Sequence, residues 1–211
     1  MLLERRRMLL MMAGAMPLSV WPGVAPAQSF PSRPITLVAP FPAGGAVDAI
    51  GRLLAERMRH SLGQSVIVEN VSGAAGSVGP GRVARAPNDG YTLGLGTSGT
   101  HVLNAATMSL PYDVINDFEP VALLSTQPVM IVARKDFPAA NLQELIAWLR
   151  SNPDKATQGT AGVGSTNHLA GVLFQQITKT QYTFVPYRGT NLAMQDLVSG
   201  QIDMIFDLAS L

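Results

Sequence analysis

The chain has 211 residues, of which 47% are apolar and only 14% charged, and Lys+Arg 15 against Asp+Glu 14 leaves a net charge of +1. That is enough apolar material for the core of one or two domains, and the few, scattered basic residues exclude a phosphate-neutralising nucleic-acid surface. The absence of cysteine excludes thiolate chemistry, disulfides and cysteine metal sites.

Arg5, Arg6 and Arg7 precede an apolar stretch from Met8 to Trp21, and Ala25-Pro26-Ala27 has the small-x-small form of an export cleavage site. The expectation is a signal peptide over 1–27, cleaved after Ala27, and a mature chain in the periplasm. Pro17 and Pro22 break the apolar stretch, which is also short for a bilayer span, so a membrane anchor is not expected. The arginine cluster favours the general secretory route and leaves the twin-arginine route open.

After residue 28 strand-like and helix-like segments alternate. ITLVA, 35–39, is short, β-branched and bounded by prolines, which predicts a strand ending at Pro40. The next segment, PFPAGGAVD (40–48), puts two glycines before a helix whose apolar face is Ile50, Leu53, Leu54, Met58 and Leu62. Bare backbone at the mouth of a helix has two readings: first-turn N–H groups free to hold an anion, or a turn whose glycines serve tight packing. A strand over 66–69, a helix over 78–86 with Pro80 in its first turn, and a strand over 91–95 complete a βαβαβ run.

Strands are then expected at 121–124 and 129–133, followed by a helix opened by Asn141 with Glu144 at capping-box spacing and ended by Pro153. The pattern continues with strand 156–161, helix 166–178, strand 182–185, helix 191–198 and strand 202–206. This is an α/β chain with mostly parallel sheets, whose binding crevices lie at the carboxyl ends of strands. A second loop, AGVGSTNH (161–168), repeats the construction of strand, glycines and helix, with Ser165 at the capping position.

PITLVAPFPAGGAVD, ENVSGAAGSVG, PNDGYTLGLGTSGTHVLN, LPYDVINDFEPVALL, AGVGSTNHLAG and FVPYRGTNLAMQDLVSGQIDMIFD stand in this order after the export signal. Together they resemble the Bug, or TctC, family of tripartite tricarboxylate transporter substrate-binding proteins. The resemblance implies a periplasmic-binding-protein-like two-lobed clamshell, with a first lobe over 28–125 and a second over 126–211. It further implies a small carboxylate held between the loops matching Pro40–Asp48 and Ala161–His168, then passed to membrane permease components, with no cofactor and a monomer when complete.

On residues and resemblance together, the site comprises Phe41, Ala43, Gly44, Gly45, Asp48, Thr97, Ser98, Gly164, Ser165, His168 and Asp207. Gly44 and Gly45 let backbone donors approach the anion, Ser165 adds a hydroxyl donor, and Phe41 walls the pocket. Asp48 either touches the ligand or fixes the helix start, Thr97, Ser98 and Thr100 either reach the ligand or build a turn, His168 either donates or packs, and Asp207, expected at the end of the last strand, either pairs with the ligand or is solvated.

Other motifs are weaker. Gly94-Leu95-Gly96-Thr97-Ser98-Gly99 has dinucleotide-binding spacing, but no acid follows about twenty residues on. The pairs Ser98/His101 and Ser165/His168 lack a G-x-S-x-G setting and a third partner, which argues against a hydrolase. His60, His101 and His168 have no metal-ligand spacing.

Family members continue beyond the match, so the second lobe is expected to be incomplete. Ile202, Met204, Ile205, Phe206, Leu208, Ala209 and Leu211 would then expose apolar faces, on a last strand with one unpaired edge. Besides a transport receptor, the functions weighed are a binding protein feeding a signalling partner, a fragment without function, and a hydrolase.

Overall fold

The computed structural model describes residues 29–209, so the expected signal peptide, its expected cleavage site and Leu211 lie outside the described residues. Strand β1 (Ile35–Ala39) sits between β2 (Val66–Asn70) and β3 (Thr92–Gly94), and all three are parallel. Helix α1 (Ala46–Leu62) connects the first two strands and α2 (Val78–Val83) lies between the second and third. The βαβαβ reading therefore holds, with shorter ends than expected for α2 and β3. Leu37, Ala39, Ala55 and Leu95 form the buried core of this layer, where the apolar stripe of α1 meets the sheet. Gly63 closes α1 in the left-handed region, its N–H bonded to the Arg59 carbonyl at 3.1 Å.

A second sheet has the order β4-β7-β5-β6, from β4 (Val129–Ala133), β5 (Thr157–Thr160), β6 (Thr183–Pro186) and β7 (Met204–Leu208). The pairings of β5 with β6 and β7 are parallel, and β4 runs antiparallel to β7. Between the sheets the chain passes through a π-helical turn at Gly99–Leu103 and the short helix α3 (Asn104–Thr107). Helices α4 (Leu142–Ser151), α5 (Thr166–Thr178) and α6 (Thr190–Val198) clothe the second sheet. Asn141 caps α4 as expected, accepting from the Glu144 N–H at 2.9 Å, while the Glu144 carboxylate takes the Ala140 N–H at 2.8 Å.

Two expectations are corrected. The segment 121–124 is not a strand: it has no ladder partner, and Val121 and Leu123 are 83% and 87% exposed. An apolar β-branched run becomes a strand only where another strand supplies its hydrogen bonds. The last strand is not an unpaired edge but lies between β4 and β5, its sequence alternating between two cores. Met204 and Phe206 join Leu145, Leu149 and Tyr182 on one face, while Ile205 joins Ala193, Leu197 and Ile202 on the other. Burial on both faces is why this strand reads as a continuous apolar run rather than an alternating one. Exposed apolar side chains are found instead along the connection that leads into β4, at Ile115, Val121 and Leu123, and on helix surfaces, as at Ile177 and Val198.

Candidate functional site

One cleft collects the carboxyl ends of the parallel strands and, because it runs antiparallel, the start of β4. Phe41 and Gly45 follow β1, Thr97 and Ser98 follow β3, Ala161 and Ser165 follow β5, Gly189 and Thr190 follow β6, Asp207 and Leu208 end β7, and Val129 opens β4. This is where parallel sheets place their ligands. The cleft has an empty volume of about 690 Å³, counting its open mouth. Phe41, Val47, Val129, Phe206 and Leu208 give it apolar walls, and Asp207 is the one ionisable residue among those lining it.

Three helices begin at this cleft. Their first residues follow extended N-caps, Gly45 (φ −87°, ψ 170°) for α1, Ser165 (φ −64°, ψ 159°) for α5 and Gly189 (φ −173°, ψ 158°) for α6, and no side chain caps any of them. Their first N–H groups lack the acceptor that later turns have, except that of His168, which Asn167 Oδ1 takes, and that of Leu192, which bonds the Gly189 carbonyl, and each helix adds about half a positive charge at this end. Such a cleft has the chemistry to hold an anion without a basic side chain.

The first loop is braced from behind. Gly44 adopts φ +84°, where a side chain is strained, and its N–H donates to Asp48 Oδ2 at 2.9 Å. Asp48 also accepts from Arg52 Nε at 2.9 Å and from Asn70 Nδ2 at 2.9 Å, and Asn70 Nδ2 reaches the Phe41 carbonyl at 3.0 Å. Burial alone would raise the Asp48 carboxyl, but the bonds from Arg52, Gly44 and Asn70 outweigh it and hold the group at about 2. Asp48 thus fixes the loop at the helix start, the second of the two roles open to it. Gly45 has an ordinary backbone angle, so the conformational demand in this glycine pair falls on Gly44.

The second loop uses the same device. Gly164, at φ +85°, donates its N–H to His168 Nδ1 at 3.3 Å, three positions into α5 just as Asp48 is three into α1. Burial lowers the His168 pKa, and the neutral ring lies 4.7 Å from the Phe184 ring centroid. The Ser165 hydroxyl is engaged inside the loop, 2.6 Å from the Gly162 carbonyl and 2.5 Å from Asn167 Oδ1. Asn167 Oδ1 also accepts the N–H groups of Ala161 at 3.1 Å and His168 at 3.0 Å, which makes this side chain the centre of the loop.

Thr97 and Thr100 interlock, each backbone N–H donating to the other's hydroxyl at 3.0 and 3.2 Å, and fully buried Thr100 is not among the lining residues. Asp207 is the penultimate residue of β7. Its Oδ1 accepts from Thr190 Oγ1 at 3.1 Å and from the Leu208 N–H at 2.9 Å, while burial pushes its carboxyl up despite these bonds.

Of the residues singled out from sequence, the cleft brings together Phe41, Gly45, Thr97, Ser98, Ser165 and Asp207. Ala43, Gly44, Asp48, Gly164 and His168 do not line it, and four of these make the loop contacts described above. Ala43 faces another partner, its carbonyl accepting from Asn191 Nδ2 at 3.0 Å. The sequence reading placed a helix at 191–198 but did not assign its start, Gly189-Thr190-Asn191, to the site. The signal was available, because this stretch also places a glycine between a strand and a helix.

The profile of the TctC family, described as the tripartite tricarboxylate transporter family receptor, matches residues 50–211. Three solved structures are similar. The periplasmic binding protein BugD is 39% identical with a TM-score of 0.82, over 86% of this chain and 60% of that one. A Rhodopseudomonas palustris protein with bound malate, MatC, is 40% identical with a TM-score of 0.80, over 85% and 61%. An R. palustris protein with adipate is 35% identical with a TM-score of 0.82, over 85% and 60%. The chain spans about half the length of the curated relatives it matches, 53%, 55% and 56% of the first three. Family and neighbours are solute-binding proteins with a periplasmic-binding-protein fold rather than enzymes, and this chain belongs to the TctC, or Bug, family of tripartite tricarboxylate transporter receptors.

Proposed function

We propose that the chain is an exported receptor that captures a small carboxylate-bearing solute between its lobes, 28–125 and 126–211, and delivers it to the membrane permease components of a tripartite tricarboxylate-type transporter. The observation that carries this reading is the meeting of three uncapped helix starts in one cleft whose lining contains no basic side chain. Backbone N–H groups at the starts of α1 and α5 and those of Thr190 and Asn191 take the carboxylate, and Phe41, Val129 and Phe206 cover the apolar part of the solute. Malate and adipate in two neighbours are both dicarboxylates, which supports the class of solute.

Titration calorimetry of the signal-free chain with malate, adipate and a neutral sugar tests the reading. Saturable heat with at least one dicarboxylate and none with the sugar is the expected outcome. Heat with the sugar alone, or with none of the three, overturns it.

A further inference from the structure

Asp207 is an anomaly in an anion-binding cleft. It is a carboxylate among the lining residues, with no cation in that lining to neutralise it. Both hydrogen bonds that reach it fall on Oδ1, from Thr190 and from the Leu208 N–H. Oδ2 accepts none among the described residues, and it is not one of the side-chain atoms sealed away from solvent without a partner. An acceptor that keeps solvent access on a residue lining the cleft is free to be satisfied by what enters.

We propose that Asp207 determines specificity, selecting carboxylate solutes that carry a hydroxyl or ammonium group beside the carboxylate over plain dicarboxylates. This rests on the carboxylate reading above. Placement supports it: Thr190 is the first residue of α6 and bonds Asp207 directly, so the Oδ2 acceptor stands beside one of the helix starts that take the anion. A solute with its donor next to its carboxylate satisfies both at once, the carboxylate on first-turn N–H groups and the donor on Oδ2. A solute with methylene at that position leaves a carboxylate oxygen desolvated and unpaired, the circumstance in which polar sites discriminate most strongly. The apolar walls are indifferent to the substituent, and among the lining residues Asp207 is the one charged acceptor a donor beside the carboxylate can meet.

The test is calorimetry with succinate, malate and aspartate, which share a four-carbon dicarboxylate frame and differ in one substituent. Malate or aspartate is expected to bind at least about tenfold more tightly than succinate, the worth of one hydrogen bond to a charged acceptor. Asp207→Asn keeps an acceptor for Thr190 and Leu208 but presents an amide N–H₂ to the solute, and the preference is expected to fall to about unity with succinate affinity retained or improved. Circular dichroism of the variant verifies its fold, and the wild-type ranking stands without any variant. Equal affinity for the three solutes in the wild type, or an unchanged ranking in Asp207→Asn, overturns the role of Asp207 and leaves the carboxylate site intact. Binding of adipate with none of the three also overturns the role of Asp207, whereas failure to bind adipate as well counts instead against the carboxylate reading itself.

Discussion

Asn191 Nδ2 donates to the Ala43 carbonyl at 3.0 Å, tying the start of α6 on the second sheet to the glycine loop that follows β1 on the first. Beside this bond Gly189 backs onto Pro42, so closely that a Cβ there would stand 2.7 Å from Pro42 Cδ. The two sheets therefore meet through side-chain and backbone contacts at the cleft itself, and Asn191 belongs at once to the lining and to the closure. Asn191→Ala is expected to weaken carboxylate binding about fivefold, the worth of one neutral hydrogen bond, with little change in melting temperature. Calorimetry and a thermal melt on the same preparation measure both; undiminished affinity would show that this bond does not contribute to closure.

The two glycines of the first loop are expected to fail in different ways. Gly44 holds φ +84°, so Gly44→Ala forces a side chain into the left-handed region and costs about 1 kcal/mol of stability or more. Gly45 has φ −87° and the nearest atom to a Cβ there is the Pro42 carbonyl oxygen at 3.6 Å, so Gly45→Val folds but sets a branched side chain among the cleft-lining residues. Urea unfolding separates the first variant from wild type and calorimetry separates the second. A normal stability for Gly44→Ala would contradict the backbone assignment.

Asp48 makes the loop sensitive to acid. Its carboxyl is held at about 2 in the folded chain against 3.8 for the free group, so the folded state favours the ionised form. The stability this supplies is complete above about pH 4 and is lost as the pH falls through 2. A shift of this size corresponds to roughly 2 kcal/mol, and half-exposed Arg52 reduces it to about 1–2 kcal/mol through solvent screening. Asp48→Asn is expected to be less stable than wild type at pH 7 and to converge on it near pH 2. Urea midpoints between pH 2 and 7 trace the difference, and parallel curves for the two proteins would refute the linkage.

Much of this was legible in the sequence because it is local. Strand 35–39 was bounded by its prolines and the helix at 166–178 by its glycine loop, and both emerge with the expected limits. What the sequence hid was pairing across distance. Nothing within 121–124 says that no neighbouring strand will be found for it, and nothing within 202–206 says that β4 and β5 will flank β7. The same holds at the cleft. Glycines announced two of the three helix starts, but that Asp48 and His168 turn back to brace their loops depends on side-chain geometry at the third helical residue, where a carboxylate or an imidazole within reach of the ligand would read identically.

The sharpest consequence for dynamics concerns the contrast between β7 and the connection that precedes β4. Strand β7 is hydrogen-bonded on both sides, to β4 over Val129–Ala133 and to β5 through Met204 and Ile205, and Met204, Ile205 and Phe206 are at most 3% exposed. Residues 121–128 form no ladder and expose Val121, Leu123 and Leu124, although Pro128 accepts the Ala209 N–H at 3.0 Å. Amides open to exchange with a free energy set by the cooperative unit they belong to, which ranges from near zero in unpaired segments up to the global stability in a paired core. Segment-resolved hydrogen exchange at neutral pH is therefore expected to leave Met204–Leu208 among the slowest amides and 121–127 exchanged within the first seconds, a ratio of several orders of magnitude. Rapid exchange through β7 would mean that the second sheet does not persist in solution, and the cleft, which takes Val129, Phe206, Asp207 and Leu208 from that sheet's β4–β7 pair, would lose a wall with it.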